Sequence, residues 1–442
     1  MKKDISRRDF LKYAGAGVLG LVANSALGKG ARGVHRVLGE PSDVVQCYSA
    51  DAVDNQGNIN QAVAQAMMDA SITTLTGIGS VGAAWKSLFP GISPSSVIGI
   101  KVCCATRYCP SWPETVETIA NGLVRMDLGG SNFKRNNIIT WERTDVELTR
   151  AGYSIYDGSD PDTMRCFGTD HSGVGYDYNA PLDMNGYTVH PSKILSQMCD
   201  YIISLAVLKD HSTAKVTLTM KNHYGSVYNI GVTQTHLNQC NPYIPALNQQ
   251  IRDVLTPNDK QRIFIIDGLL GIYNGGPGGS PNFLPEMYIM SRDTVACDFQ
   301  GQVVINEERV RQGYQPLDAR HITTAAQPPY ELGTTDINLI QIGPTGMQEP
   351  GRRSPVNAGL SVAPDPFRRS TVVAFSLRFS ERVTLQLVDR SGRVAADLFD
   401  GTLGRGRHEV KVNTGTRLQA GTYLLRLSGS NGDRTRKVTV LN

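Results

Sequence analysis

At 442 residues, with 40% apolar and 19% charged side chains, the chain has the composition of a globular protein long enough for more than one domain. A coiled coil and an intrinsically disordered chain are excluded on that balance. The net charge of +4 divides into +3 over residues 1–28, −6 over 29–360 and +7 over 361–442. The acidic middle leaves no footprint for a phosphate backbone, and the basic charges of the tail are spread along strand-like segments, so no nucleic-acid partner is expected.

The first segment reads Ser6-Arg7-Arg8-Asp9-Phe10-Leu11-Lys12, then runs uncharged from Tyr13 to Gly28. This resembles a twin-arginine (Tat) export signal, an address read by a receptor. The run is too short and too rich in Gly and Ala for a comfortable membrane span, and Ala26-Leu27-Gly28 offers a small-residue cleavage site. The resemblance implies the Tat translocase as a partner, export to the periplasm in the folded state, and no transmembrane span once the signal is removed. Folding would then precede export, in a reducing compartment, so the eight cysteines are expected as small buried thiols rather than disulfides.

Residues 29–342 alternate helical and extended patterns. Asn60 to Leu75 carries Ala and Met at helical spacing, and Val97-Ile98-Gly99-Ile100-Lys101-Val102 reads as a buried strand. Ser111-Trp112-Pro113-Glu114 has the form of a capping box opening a helix, with Val116, Ile119, Leu123 and Met126 on one face and Gly129-Gly130 at its end. Ile138-Ile139-Thr140-Trp141 is the next strand, followed by a polar, Gly- and Asp-rich excursion over 152–188. A short helix near Pro191–Cys199, the strands Ile202–Leu208 and Ile263–Asp267, and a helix from Thr294 to Val310 complete the pattern. Apolar strands separated by helices predict a layered α/β domain with a mostly parallel buried sheet, and sites at the carboxyl ends of its strands.

Residues 343–360 are rich in Pro and Gly and read as a linker. Beyond it the period becomes two: Val373, Phe375, Leu377; Val383, Leu385, Leu387; Tyr423, Leu425, Leu427. With turns such as Arg390-Ser391-Gly392, this predicts a small all-β sandwich over 361–442. The ordered segments Pro364–Thr371, Val388–Val394, Gly406-Arg407-His408 and Ala420-Gly421-Thr422-Tyr423 resemble the Ig-like carboxy-terminal module of type IX secretion sorting domains and flagellar hook-cap proteins. The likeness implies the type IX secretion machinery as a partner and the cell surface or the exterior as the destination. An accessory Ig-like domain without a sorting role is the alternative.

Gly77-Ile78-Gly79-Ser80-Val81-Gly82 has dinucleotide-binding spacing, but it follows a helix and lacks an acidic residue about twenty positions on, so it reads as a loop. Chemistry concentrates elsewhere. Lys209-Asp210-His211 and Lys221-Asn222-His223-Tyr224-Gly225 flank a short turn where a strand feeds a loop, and His236 and Cys240 follow, four residues apart. Lys209 and Lys221 could hold a carboxylate or phosphate as point charges, with His211 or His223 as general acid and base. Asn222 is a ligand-binding candidate, and Asp267 and Asp298 would orient the cations or serve as ligands. On one helical face, His236 and Cys240, joined by Cys103 and Cys109, could instead hold a transition metal or part of an iron–sulfur cluster. Adjacent Cys103 and Cys104 would point to opposite faces of a strand and not share one ion.

This cluster resembles the core signature of the family called domain of unknown function 362. Ile100-Lys101-Val102, Ile139-Thr140-Trp141-Glu142-Arg143, and Asp267-Gly268 through Gly276-Pro277 to Asp293–Asp298 fit the same pattern, so the likeness spans most of 95–305. It departs at Cys103, where the pattern implies Asn. The family carries no settled reaction, and the ferredoxin-like fusions of some members point toward redox or metal chemistry. Three readings follow. The first is an exported enzyme-like domain holding a small anionic ligand at Lys209–His223. The second is a metal centre at His236, Cys240, Cys103 and Cys109. The third is a non-enzymatic cell-surface binding or structural protein.

Overall fold

The computed structural model of the protein describes residues 41–345 and 360–441, apart from 55 and 258 in the first region and 369, 378–380, 390–392, 404–405, 414–417, 419 and 430–431 in the second. The export signal at 1–28 and most of the linker lie outside the described residues. Among the described residues no helix is long and apolar enough to cross a membrane.

The main sheet is built from β1 (Ser42–Tyr48), β2 (Ile98–Lys101), β3 (Ile138–Trp141), β4 (Arg165–Cys166), β5 (Tyr201–His211), β6 (Lys215–Thr217), β7 (Gln261–Ile272), β8 (Met287–Ser291) and β9 (Ile337–Ile342). Their spatial order is β9-β1-β8-β7-β5-β2-β3-β4, with β6 paired to the end of β5. The run β7-β5-β2-β3-β4 is parallel throughout, whereas β8 is antiparallel to both neighbours.

The helices that matter to the site are α1 (Gln61–Thr76), α2 (Pro113–Leu123), α3 (Thr219–Asn222), α4 (Tyr243–Asp253), α5 (Thr294–Arg311) and α6 (Arg320–Ala325). Because successive strand residues face opposite ways, each central strand feeds two cores. Ile203, Leu205 and Ile265 pack with Met67, Trp85 and Ile119. Ile202, Phe264 and Ile266 pack with Leu247 and Val304. Both faces are therefore covered, as continuous apolar runs in a parallel sheet require. Each fully buried Ile or Leu contributes about 1.5–3 kcal/mol.

Helix ends follow the expected capping chemistry, with one correction. The Asn60 side chain accepts from the Val63 amide at the start of α1, and Gly77 closes that helix with φ 68°. Asp293 accepts from the Val295 and Ala296 amides to open α5. Ser111 does not cap α2. Trp112 is its N-cap residue, with Pro113 in the first turn, while the Ser111 hydroxyl accepts from the Cys103 amide (2.9 Å) and donates to the Leu205 carbonyl (2.9 Å). The serine thus ties β2 to β5, a long-range use that local spacing cannot disclose.

The tail forms two antiparallel sheets. One joins β10 (Ser361–Ala363), β11 (Ser370–Leu377) and β14 (Gly406–Asn413); the other joins β12 (Glu381–Val388), β13 (Val394–Leu403), β15 (Gly421–Gly429) and β16 (Gly432–Val440). Val373, Phe375 and Val412 of the first share a core with Leu385, Leu387, Leu425 and Leu427 of the second. This is a sandwich on the predicted period-two positions.

Candidate functional site

Strand β5 sets the position of the site. It pairs with β2 only over Tyr201–Ser204 and then runs on, buried, to Asp210. At its end it folds back into β6, with Lys209 opposite Thr217 and His211 opposite Lys215. The returning chain enters α3, so Lys209, His211 and Lys221 come from one continuous hairpin and turn. They line a cavity of about 380 Å³ together with Cys103 beyond β2 and Glu142 and Arg143 beyond β3. These are carboxyl ends of parallel strands, where an open α/β sheet places its ligands.

One side of the cavity is internally satisfied. The Lys101 ammonium, fully buried, lies 2.8 Å from Glu142 Oε1 and donates to the Val102 carbonyl at 2.6 Å. Glu142 also accepts from the Cys104 amide (2.9 Å) and the Arg143 amide (3.0 Å). Asn222 closes the group, donating to the Lys101 carbonyl at 2.8 Å and to the Leu205 carbonyl at 3.3 Å. A Cβ at Gly225 would stand 2.8 Å from Lys101 Nζ and inside contact distance of Glu142 Oε1, so this close approach requires glycine. Arg143 is engaged with Glu147, its Nε 3.2 Å from Oε2.

The other side is not satisfied. Four described lysines are buried: Lys101, Lys209, Lys221 and Lys260. Lys209 donates to the Cys109 carbonyl (3.0 Å) and Thr106 Oγ1 (3.2 Å), and Lys260 to the Leu195 and Cys199 carbonyls (2.8 and 3.0 Å). Lys221 has no oxygen acceptor among the described residues, and its ammonium rests over the Tyr224 ring, 4.1 Å from the centroid. Burial brings Lys221 down to about 8, opposed by the nearby thiols of Cys240 and Cys103 and reinforced by Lys209 and Arg143.

Two histidines beside it are neutral. His211 Nδ1 accepts from the Thr213 and Ala214 amides (3.0 and 3.2 Å), which assigns the ring proton to Nε2. Burial, then the charge of Lys221, pushes His211 down to about 3 and His236 to about 4. Their ring centroids are 6.2 Å apart. The Thr217 hydroxyl also faces this cavity, buried and without a hydrogen-bond partner among the described residues.

Several expected site residues act elsewhere. His223 is fully buried, with Nδ1 2.9 Å from Ser226 Oγ and Nε2 2.8 Å from Gln261 Oε1, and it does not line the cavity. Asp298 accepts from the Thr219 amide (2.7 Å), the Thr219 hydroxyl (2.5 Å) and the Met220 amide (3.1 Å), so it anchors the turn that presents Lys221. Asp267 accepts from the Trp112 amide (3.2 Å) and the Leu269 amide (3.2 Å), fixing the start of α2. Burial raises both carboxyls, Asp298 to about 7 and Asp267 to about 6. Asn222 borders the cavity, yet its amide is committed to β2 and β5.

The metal quartet does not assemble. His236 and Cys240 were expected on one helical face, but Asn238, Gln239 and Cys240 have φ of 49°, 62° and 61°, which breaks the helix between them. Cys109 points toward the Leu270 carbonyl, 4.0 Å away. Burial pushes its thiol to about 12 and raises that of Cys240. Among the described residues, no group of three or more His, Cys, Asp and Glu side chains could hold a metal ion. Cys103 and Cys104 do part as expected, Cys103 lining the cavity and Cys104 packing in the core beneath the sheet.

The same geometry adds residues the sequence reading did not assign. Lys101, Glu142 and Arg143 stand at strand ends, a position that could have nominated them. Tyr176 and Tyr228 line the cavity with ring centroids 5.2 Å apart. His321 of α6 is fully buried, neither ring nitrogen has a partner among the described residues, and the Lys221 charge helps hold it neutral. It does not line the cavity, and no local signal marks it, since its helix lies about a hundred residues downstream of α3.

Residues 184–302 match the family described as Domain of unknown function (DUF362). The matched segment carries β5, β6, α3 and β7, and with them Lys209, His211, Lys221, Asn222, Asp267 and Asp298. Lys101 and Glu142 lie outside it. No curated protein matches the chain. Among solved structures, the chain is similar to Pseudomonas fluorescens alkylpurine DNA glycosylase AlkC bound to DNA containing an abasic site analog. That match has 13% identity over 19% of this chain and 29% of that one, with a TM-score of 0.14. A Thermotoga maritima protein is matched at 10% identity over 55% of this chain and 59% of that one, with a TM-score of 0.30. The chain thus covers less than two thirds of either structure, and at such scores neither bears on fold or function.

Proposed function

We propose that the protein is an exported, enzyme-like protein whose DUF362 segment binds a small oxyanion, a carboxylate or phosphate, in the cavity beside Lys209 and Lys221. The observation that carries this reading is the uneven distribution of partners. Lys101 has its own carboxylate, whereas Lys221 is buried against the same cavity with none among the described residues. A buried cation without a counter-ion is costly in an empty site and is compensated when an anion enters.

Lys209 and Lys221 would neutralise the ligand as point charges. The Nε2 proton of His211 and the Thr217 hydroxyl would complete its hydrogen bonds. His211 would act on the ligand by donating from Nε2, since its Nδ1 is taken by two backbone amides, whereas both ring nitrogens of His223 are engaged within the protein. The twin arginines Arg7-Arg8 support export by the Tat route, and the period-two tail supports an outward address as a sorting or anchoring module. No step is routed through a metal, since the expected donors do not converge.

Calorimetric titration of the exported protein with lactate and with inorganic phosphate tests the reading. Binding of at least one, weakened about tenfold or more by Lys209→Met, is expected, because a charged hydrogen bond contributes about 1.5–3 kcal/mol. Absence of binding of either anion by the wild-type protein would overturn it.

A further inference from the structure

Lys221 differs from an anion-holding lysine such as Lys209 in a way that points to covalent chemistry. Its amine has no oxygen acceptor among the described residues, rests 4.1 Å from the Tyr224 ring centroid and lines the cavity together with two neutral histidines. A lysine desolvated beside other cations is the arrangement that turns an ammonium into a nucleophilic amine. We infer that Lys221 forms an imine with the carbonyl carbon of a small 2-oxo acid whose carboxylate is held by Lys209. This rests on the oxyanion reading and assigns the ligand a second functional group.

The step balances without an oxidant or reductant. The Lys221 nitrogen lone pair attacks the carbonyl carbon and a C–N bond forms. The carbonyl oxygen gains one proton, and the nitrogen loses one, giving a carbinolamine. The C–O bond then breaks, and the oxygen leaves with the second amine proton as water while C=N forms. The Nε2–H of His211, whose Nδ1 is fixed by two backbone amides, is suited to steady the carbonyl oxygen by a hydrogen bond, while water carries the protons.

At pH 7 an amine with a pKa near 8 is roughly one-tenth unprotonated, against under about one-thousandth for an ordinary lysine. The full-length exported protein, incubated with pyruvate and sodium borohydride and then mapped by peptide mass spectrometry, should carry one reduced carboxyethyl group on Lys221. Labelling there should exceed that of any surface lysine by about tenfold or more. Propanal, which lacks the carboxylate, should label Lys221 less than pyruvate does, and lactate should suppress the pyruvate adduct.

Labelling spread evenly over surface lysines, or propanal labelling equal to that by pyruvate, would overturn the inference. Lactate binding without any Lys221 adduct would also reject the imine, yet leave the oxyanion site standing. Failure of both lactate binding and trapping would remove the two together. A Lys221→Arg variant, which keeps the charge but offers no amine, should yield no carboxyethyl adduct at that position.

Discussion

Next to the cavity and at its wall, Lys101 and Lys221 bury the same chemical group under opposite conditions. Around Lys101 the charge is matched by Glu142, and the remaining lone pairs and donors are taken up by backbone groups of β2 and β3 and by Asn222. Around Lys221, burial is nearly as complete, but its ammonium rests on a ring face and has no oxygen acceptor among the described residues. The first arrangement holds three strand ends together. The second leaves a charge without a carboxylate partner among the described residues, the feature on which the proposed anion site rests. Burial alone therefore does not single out a candidate ligand-binding lysine; burial without an acceptor is what nominates Lys221 for the proposed site.

The contrast is broken most directly at its structural side. Lys101→Met leaves the Glu142 carboxylate buried without its cation and should cost about 3–5 kcal/mol, read as a lowered denaturation midpoint. Tryptophan fluorescence reports this domain alone, because Trp85, Trp112 and Trp141 are the three tryptophans of the chain. Gly225→Ala presses on the same pair and should cost about 1–3 kcal/mol by overpacking. A neutral result there would mean that the close approach is not needed.

Lys221→Met should act with the opposite sign, stabilising the domain by about 1–3 kcal/mol at pH 7, since a desolvated charge is removed. The pH sense follows from the lowered value near 8. Between there and the ordinary lysine range the folded state binds fewer protons than the unfolded one, so wild-type stability rises with pH. The advantage of Lys221→Met should accordingly shrink through that window. If both lysine variants lose stability alike, the two sides are not different in kind.

A separate, pH-dependent effect concerns Asp298, which presents the Lys221 turn and is raised to about 7. A raised carboxyl contributes stability that is full below its unfolded value near 3.8 and is lost as pH rises toward 7. The difference in unfolding free energy between wild type and Asp298→Asn should therefore fall over pH 4–7, measured by urea titration at several pH values. A pH-independent difference would contradict the raised carboxyl.

Much of this architecture is legible in local sequence. The predominantly apolar runs 98–102, 202–208 and 263–267 do not alternate as half-exposed strands do, so they announce a covered parallel sheet, and the alternation of Val383, Leu385 and Leu387 announces the tail sandwich. The Lys209–Lys221 hairpin is also visible, because its members are close in sequence. What escapes is whatever depends on partners far along the chain. Ser111 has capping-box spacing but is engaged by β2 and β5; Glu142 finds Lys101 across 41 positions; His321 arrives from a distant helix. His223 and Asp298 are polar residues in a dense motif, and only their long-range bonds to Gln261 and Thr219 show that they support the site rather than face a ligand. The left-handed residues 238–240 likewise defeat a spacing argument that assumes a helix.

The most direct test of the central claim is the denaturation midpoint of wild type and Lys221→Met, each with and without saturating lactate or phosphate. A ligand that binds only the folded state raises stability by mass action, by about 2.7 kcal/mol at a hundred times its dissociation constant. The variant should be the more stable protein without ligand, and the anion should raise the wild type well above its own ligand-free value while leaving the variant nearly unmoved. Equal ligand-induced shifts in the two proteins, or none in either, would contradict it.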